Sequence, residues 1–195
     1  EAEAAACCGS TALVLLLYVD QLHVAWLGDC RAVLCHGGVA RALTTDHSVD
    51  CSSERERVLA DGGVIEEGRL SGFLQVARAL GDIDALTGAK PPGLSGRPEL
   101  LSHQLSPQDE FILLASDGLW NVVDAVDAVR LARDELRAYG DAAMASEKLV
   151  EMALKRHADD NVTVVVVCLN PIAEAAAETS TRRPRLMLKK KGTSA

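Results

Sequence analysis

The order of elements along the chain predicts an α+β fold. Three observations carry it. Short apolar or alternating runs, broken by turn residues, recur through the first 115 residues. Two later segments, near 124–139 and 142–157, repeat apolar side chains at helical spacing. A β-branched run, Val162 to Leu169, follows them and closes the pattern.

Residues 1–8 are a short lead rich in Ala and Glu. Ser10 to Tyr18 and Leu22 to Leu27 read as two strands joined by a turn around Asp20. Ala32 to Cys35 and Val39 to Leu43 flank His36-Gly37-Gly38, a hairpin signal. Ser53 with Glu56 has the spacing of a capping box and predicts a helix running to about Ala60. Asp61-Gly62-Gly63 ends it, because glycine tolerates the left-handed conformation that helix C-termini need. Residues 83–98, rich in Gly and Pro, read as a loop, and Asp109 to Ala115 as a buried strand. The first late helix runs from Asp124 to Tyr139 with Val126, Val129 and Leu136 on its stripe and Gly140 beyond its end. The second spans about Ala142 to His157, with Leu149, Met152 and Ala153 facing inward.

Composition narrows the class. The 195 residues suggest one domain with tails, and 48% apolar residues suffice for a core. Aromatics make up only 3%, so Val, Leu and Ala must build it. After Asn170 the chain turns polar. Six basic residues (Arg182, Arg183, Arg185, Lys189, Lys190, Lys191) against Glu174 and Glu178 give a tail of +4, expected to be solvated and disordered. That leaves −12 on the body of a chain whose net charge is −8, which argues against nucleic acid as a partner. No apolar run reaches the ~20 residues that span a bilayer, so no membrane partner is expected. The six cysteines include the adjacent Cys7 and Cys8 and have no disulfide or zinc spacing. Buried free thiols in a reducing compartment, cytoplasmic or nuclear, are the simpler reading.

Asp117 and Asp160 carry the chemistry. Asp117 follows the apolar run Phe111 to Ala115, and Asp160 precedes Val162 to Leu169. If these strands pair antiparallel, the end of one lies beside the start of the other and both carboxylates reach one edge of the sheet. Like charges so placed call for a cation between them. An oxygen-only site suits Mg²⁺ or Mn²⁺. Such ions lower the pKa of a bound water from ~16 toward ~7 and clamp phosphoryl oxygens. Asp29 follows the strand Leu22 to Leu27; it either approaches the same edge or bonds local backbone in its turn. Trp120 reads as core packing behind this loop. Arg78 and Asp82 read as structural, a buried arginine and a turn carboxylate at the Gly81 corner. His47 and His157 read as satisfied or solvated residues.

An ordered series of motifs resembles the metal-dependent protein serine/threonine phosphatases of the protein phosphatase 2C family. The series is Gly9-Ser10-Thr11-Ala12, Gly28-Asp29-Cys30-Arg31, Leu43-Thr44-Thr45-Asp46-His47, Glu54-Arg55-Glu56-Arg57, Leu74 to Asp82, Arg97-Pro98-Glu99 and Asp109-Glu110-Phe111, completed by the two Asp motifs. It covers roughly residues 9–169. Two departures stand out. The family's Asp-Gly-His-Gly-Gly motif is absent from this chain, and Asn121 stands where the family most often has Asp.

The resemblance implies two stacked antiparallel β-sheets flanked by helices, an α-β-β-α sandwich whose N-terminal part is missing here. It divides the chain into a lead (1–8), a partial phosphatase domain (9–169) and a basic tail (170–195). It implies two Mg²⁺ or Mn²⁺ ions per intact site, with Asp117 and Asp160 among their ligands and Asp29 at a weaker third ion. The phosphate-binding arginine and general-acid histidine are expected upstream, so no catalytic residue is assigned within the chain. The implied activity is hydrolysis of phosphoserine and phosphothreonine in phosphoprotein substrates, by a monomer. Two other readings stay open: a non-catalytic phosphatase-like binding or regulatory module, and a hydrolase of small phosphate esters. With the first metal motif absent, the isolated chain is expected to be a poor enzyme, to bind metal weakly and to fold imperfectly at its open strand edges. Calorimetry with Mn²⁺ and a thermal melt check this; a cooperative melt with submicromolar affinity would contradict it.

Overall fold

Two antiparallel sheets lie face to face in the computed structural model, which describes residues 8–84 and 87–172. The strands are β1 (Gly9–Ser10), β2 (Ala12–Tyr18), β3 (Gln21–Leu27), β4 (Arg31–His36), β5 (Val39–Ala42), β6 (Ile65–Glu66), β7 (Arg69–Leu70), β8 (Leu80–Gly81), β9 (Glu99–Gln104), β10 (Asp109–Ala115) and β11 (Val164–Cys168). The helices are α1 (Ser52–Ala60), α2 (Asp117–Trp120), α3 (Ala125–Tyr139) and α4 (Ala142–Lys155). One sheet has the order β11-β10-β4-β5 and the other β2-β3-β9; β1-β8 and β6-β7 form two small ribbons. The residues of the lead before Cys8 and of the basic tail after Ile172 lie outside the described residues.

The four-stranded sheet is buried on both faces. Ile112 of β10 and Ala32 and Leu34 of β4 meet Leu22, Val24 and Trp26 of β3 between the sheets. Phe111, Leu113 and Ala115 point the other way, onto Ala128, Val129 and Ala132 of α3 and Leu149 and Ala153 of α4. A strand covered on both sides must be apolar at every position, which is why Phe111 to Ala115 shows no alternation. The three-stranded sheet is covered on one face only. Its outer face exposes Val14, Leu16, Tyr18 and Leu100, and among the described residues no helix lies on it. Among the described residues α3 and α4 flank the four-stranded sheet, in keeping with the α+β sandwich that the resemblance implied. A third cluster, Leu27, Val49, Val58, Leu70, Ala77, Ala79 and Leu94, sits under α1.

Four local expectations need correction. The N-cap of α1 is Cys51, so Ser53 lies inside the helix and no side chain caps that end. Val126 is exposed; three residues before Val129 puts it about 60° around the helix, outside the stripe centred on Ala128, Ala132 and Leu136. The last regular strand begins at Val164, Val162 and Thr163 being irregular although Thr163 O still accepts the Ser116 amide. Cys168 is exposed because β11 is an edge strand, and of the five described cysteines only Cys35 is buried.

Asp109 ties the sheets together at the end where β10 begins. Its fully buried carboxylate accepts hydrogen bonds from His36 Nδ1 (2.7 Å), His103 Nε2 (3.0 Å), and the Ser106 amide (2.8 Å) and hydroxyl (3.1 Å). His36 closes β4 of one sheet, while His103 belongs to β9 of the other. Burial alone would raise this carboxyl's pKa, but the donors win and bring it to about 2 from an ordinary 3.8. A depressed folded pKa stabilises the protein above the unfolded value and loses that stabilisation as pH falls from 3.8 toward 2. Asp109→Asn is therefore expected to cost about 2 kcal/mol at neutral pH, a deficit that shrinks as pH falls from 3.8 through about 2. Urea unfolding of both proteins across that range measures it.

Candidate metal centre

The pairing of β10 with β11 is antiparallel, with Ala115 opposite Val164. Beyond that pair the strands stay together: the Ser116 amide donates to Thr163 O (3.1 Å), and Ser116 Oγ donates to Asn161 O (3.1 Å). Asp117 and Asp160 thus stand at the same end of the sheet. Gly118 is required by the close approach, since a Cβ there would lie 2.5 Å from Asn161 O. Trp120 is buried and its indole N–H donates to Ala115 O (3.0 Å), pinning α2 back onto β10.

Asp29 arrives from the turn between β3 and β4. Gly28 adopts φ +106° there, and a Cβ would meet the Thr11 side chain at 2.3 Å. Asp29 and Asp117 line one cleft of about 350 Å³ with Asp46, Asp50, Glu67 and Asn121. Arg31 and Arg69 also line it. Arg31 is committed to Asp46 in a two-point pair (2.7 and 2.6 Å).

The electrostatics of this cleft fit a hard cation. Burial raises the Asp29 carboxyl's pKa, and the Asp117 charge raises it further; its own backbone N–H and Arg31 only partly offset them. A carboxyl held above its ordinary value by a neighbouring carboxylate is a site short of positive charge. The oxygen donors are the kind Mg²⁺ or Mn²⁺ takes. Asn121 lies beside Asp117, its amide 3.4 Å from Oδ2, and adds an acceptor but no charge.

Asp160 stands apart from this pair. It is exposed, its Oδ1 accepts the Asn161 amide (2.6 Å), and it does not line the cleft. Of the three carboxylates singled out from the sequence, the structure brings two into one cleft and leaves the third at the same sheet end beside it.

A second group went unread in the sequence. His47, Glu54 and Glu99 offer ligand atoms within 4.8 Å of one another, the only such trio among the described residues. Its chemistry does not suit a metal. Arg78 donates to both Glu54 oxygens and to Glu99 (2.9 Å), and Arg57 adds two bonds to Glu54 (3.1 and 2.9 Å). Burial alone would raise Glu54, yet the two arginines hold it at about 2. The positive charge this pocket calls for is already present as guanidinium. His47 accepts the Gly28 amide on Nδ1 (3.0 Å), so its proton sits on Nε2, 3.7 Å from Glu99 Oε2. That nitrogen has no lone pair to give. Burial, and then the Arg78 charge, lower the His47 pKa and keep the ring neutral. His47, Glu54, Arg78 and Glu99 come from four separate motifs of the sequence, and nothing in their spacing announces that they converge.

The family model described as Protein phosphatase 2C matches residues 1–162. The chain is 44% identical over 169 residues to "Probable protein phosphatase 2C 22" of Arabidopsis thaliana, covering 84% of this chain and 43% of that protein. It is 40% identical over 183 residues to "Probable protein phosphatase 2C 57" of Oryza sativa subsp. japonica, covering 91% and 49%. It thus spans less than half the length of these curated relatives. Among solved structures it is similar to serine-threonine phosphatase 2C from Toxoplasma gondii (TM-score 0.69, 28% identity, 82% of this chain and 58% of that one). It is also similar to a C. elegans sex determining protein (TM-score 0.74, 32% identity, 84% and 41%).

The coupling of the two cleft carboxylates is directly measurable. Asp117→Asn removes the charge that, after burial, does most to raise the Asp29 pKa, so that pKa is expected to fall part of the way toward its ordinary value. Carboxyl-carbon NMR titration of Asp29 reads the shift, and an unchanged midpoint would show that the two groups do not interact.

Proposed function

The chain belongs to the protein phosphatase 2C family, and from that premise we propose that the protein hydrolyses phosphoserine and phosphothreonine in protein substrates at a two-metal centre. The single observation that carries this reading is the cleft in which Asp117 and Asp29 stand together with Asp46, Asp50 and Glu67. In this reading Asp117 and Asp160 hold the principal Mg²⁺ or Mn²⁺ pair together with ligands beyond this chain, and Asp29 serves a third ion. Bound there, the cations activate water at neutral pH and neutralise phosphoryl charge.

This chain's own residues do the positioning. Trp120 and Gly118 set Asp117 against the β10–β11 edge. Asp46 holds Arg31, which keeps that cation from pairing with Asp29 or Asp117. Asn121 leaves the third site one charge short of the family pattern, which supports a weak third ion. The free thiols of Cys30, Cys35, Cys51 and Cys168, among the described residues, support a reducing compartment, cytoplasmic or nuclear. One observation favours a non-catalytic binding module instead: the Asp160 carboxylate lies outside the cleft and bonds its own chain neighbour.

Phosphate release from a phosphothreonine peptide by the full-length natural protein decides between them. The enzyme reading expects turnover that requires Mn²⁺ or Mg²⁺ and falls on the order of 100-fold or more in Asp117→Asn and Asp160→Asn. Metal binding without turnover favours the binding module.

A further inference from the structure

His47 is fully inside the protein, 1% exposed, yet it reaches the turn that carries Asp29 in two ways. Its amide donates to Gly28 O (3.0 Å), and the Gly28 amide donates to its Nδ1 (3.0 Å). Both polar groups of Gly28 therefore end on one residue. Gly28 itself cannot define the turn, because φ +106° is open to it but not imposed by it. The ring is held from behind. It stacks on Trp26 with centroids 5.8 Å apart and planes 2° from parallel, while its buried Nε2 lies 3.7 Å from Glu99 Oε2, beyond hydrogen-bond distance. Its carbonyl accepts the Ala77 amide (2.7 Å), one residue before Arg78, which binds Glu54 and Glu99.

We propose that His47 is the positioning residue for the Asp29 turn, transmitting the location of the Glu54–Arg78–Glu99 network, which it meets through the Ala77 amide, to the cleft through its Nδ1 acceptor. The consequence for cation binding rests on the reading of Asp29 as a ligand; the consequence for the turn does not. The network is rigid because each of its carboxylates is held by guanidinium. The imidazole ring is planar and stacked, so Nδ1 has one direction in which to accept. The Asp29 carboxylate, one residue from Gly28, is thereby set against Asp117 from outside its own loop.

Two substitutions separate positioning from mere support. In His47→Asn the side-chain oxygen takes the place of Nδ1, two bonds from Cβ, and can accept the Gly28 amide. In His47→Leu no acceptor remains. Both lose the stack on Trp26, so both are expected to melt at lower temperature. Amide hydrogen exchange of the full-length natural protein is the primary readout. Positioning predicts exchange at Gly28 and its neighbours about 10-fold faster in His47→Leu, returning close to the parent rate in His47→Asn. Titration with Mn²⁺ is expected to follow the same order, weakened several-fold in His47→Leu and largely restored in His47→Asn. Equal exchange at Gly28 in the two variants, or acceleration spread evenly over the fold, overturns the proposal. If the exchange pattern holds while Mn²⁺ binding is indifferent to both substitutions, the turn is positioned as proposed and the assignment of Asp29 as a ligand is what fails. Should His47→Leu not fold, long-range ¹H–¹⁵N correlation of the parent imidazole decides: an unprotonated Nδ1 coupled to the Gly28 amide supports the proposal, and a proton on Nδ1 overturns it.

Discussion

β10 is the strand on which the rest of the structure depends. It is paired on both edges, to β4 and β11, and buried on both faces, against β3 on one side and α3 and α4 on the other. Its beginning holds Asp109 and Glu110, both buried and both committed to partners on other elements. Its end delivers Asp117 to the cleft. Any shift of register in β10 moves the inter-sheet core, the helix layer and the candidate metal ligand together, since a one-residue slip turns every side chain to the opposite face.

Charge inside this protein falls into two kinds. Glu54, Asp109 and Glu110 are buried carboxylates whose donors outweigh the cost of burial, so all three are held below their ordinary pKa. Arg78 and Arg57 serve the first, two histidines and Ser106 the second, and Arg133 the third. Each joins elements distant in sequence: α1 to Arg78 and β9, β4 and β9 to β10, and β10 to α3. Asp29 is the opposite case. Its pKa is raised, its strongest charged neighbour is another carboxylate, and the nearby Arg31 is taken by Asp46. Structural carboxylates come with their counter-charges built in; a carboxylate left short of one, in an open cleft, is how a binding site differs from a scaffold.

The outer face of the three-stranded sheet follows from the same layer logic. Val14, Leu16 and Tyr18 alternate with the inward Leu13 and Leu15 along β2, so the strand is apolar on both sides although only one side is covered among the described residues. The four-stranded sheet, by contrast, has α3 and α4 against its outer face and the corresponding Phe111, Leu113 and Ala115 fully packed.

The sequence by itself determined the α+β order, the strand pairs joined by short turns, the buried character of Asp109 to Ala115, and the meeting of the Asp117 and Asp160 segments at one sheet end. Each is a local consequence: periodicity names the element, glycine names the turn, and antiparallel pairing of neighbours puts known ends together. Local reading failed where more than one residue competed for a role. Ser53 had the spacing of a cap, but the helix begins at Ser52, with Cys51 in the capping position. Val126 had the right spacing to Val129 but the wrong angle to the rest of the stripe. Tertiary structure alone decided that Asp160 stays outside the cleft while Asp29 enters it, that Arg31 is spent on Asp46, and that His47, Glu54, Arg78 and Glu99 meet. Side-chain charges act through space within a few ångströms, and which residues share those ångströms is set by the packing of whole sheets, a distance that no spacing along the chain records.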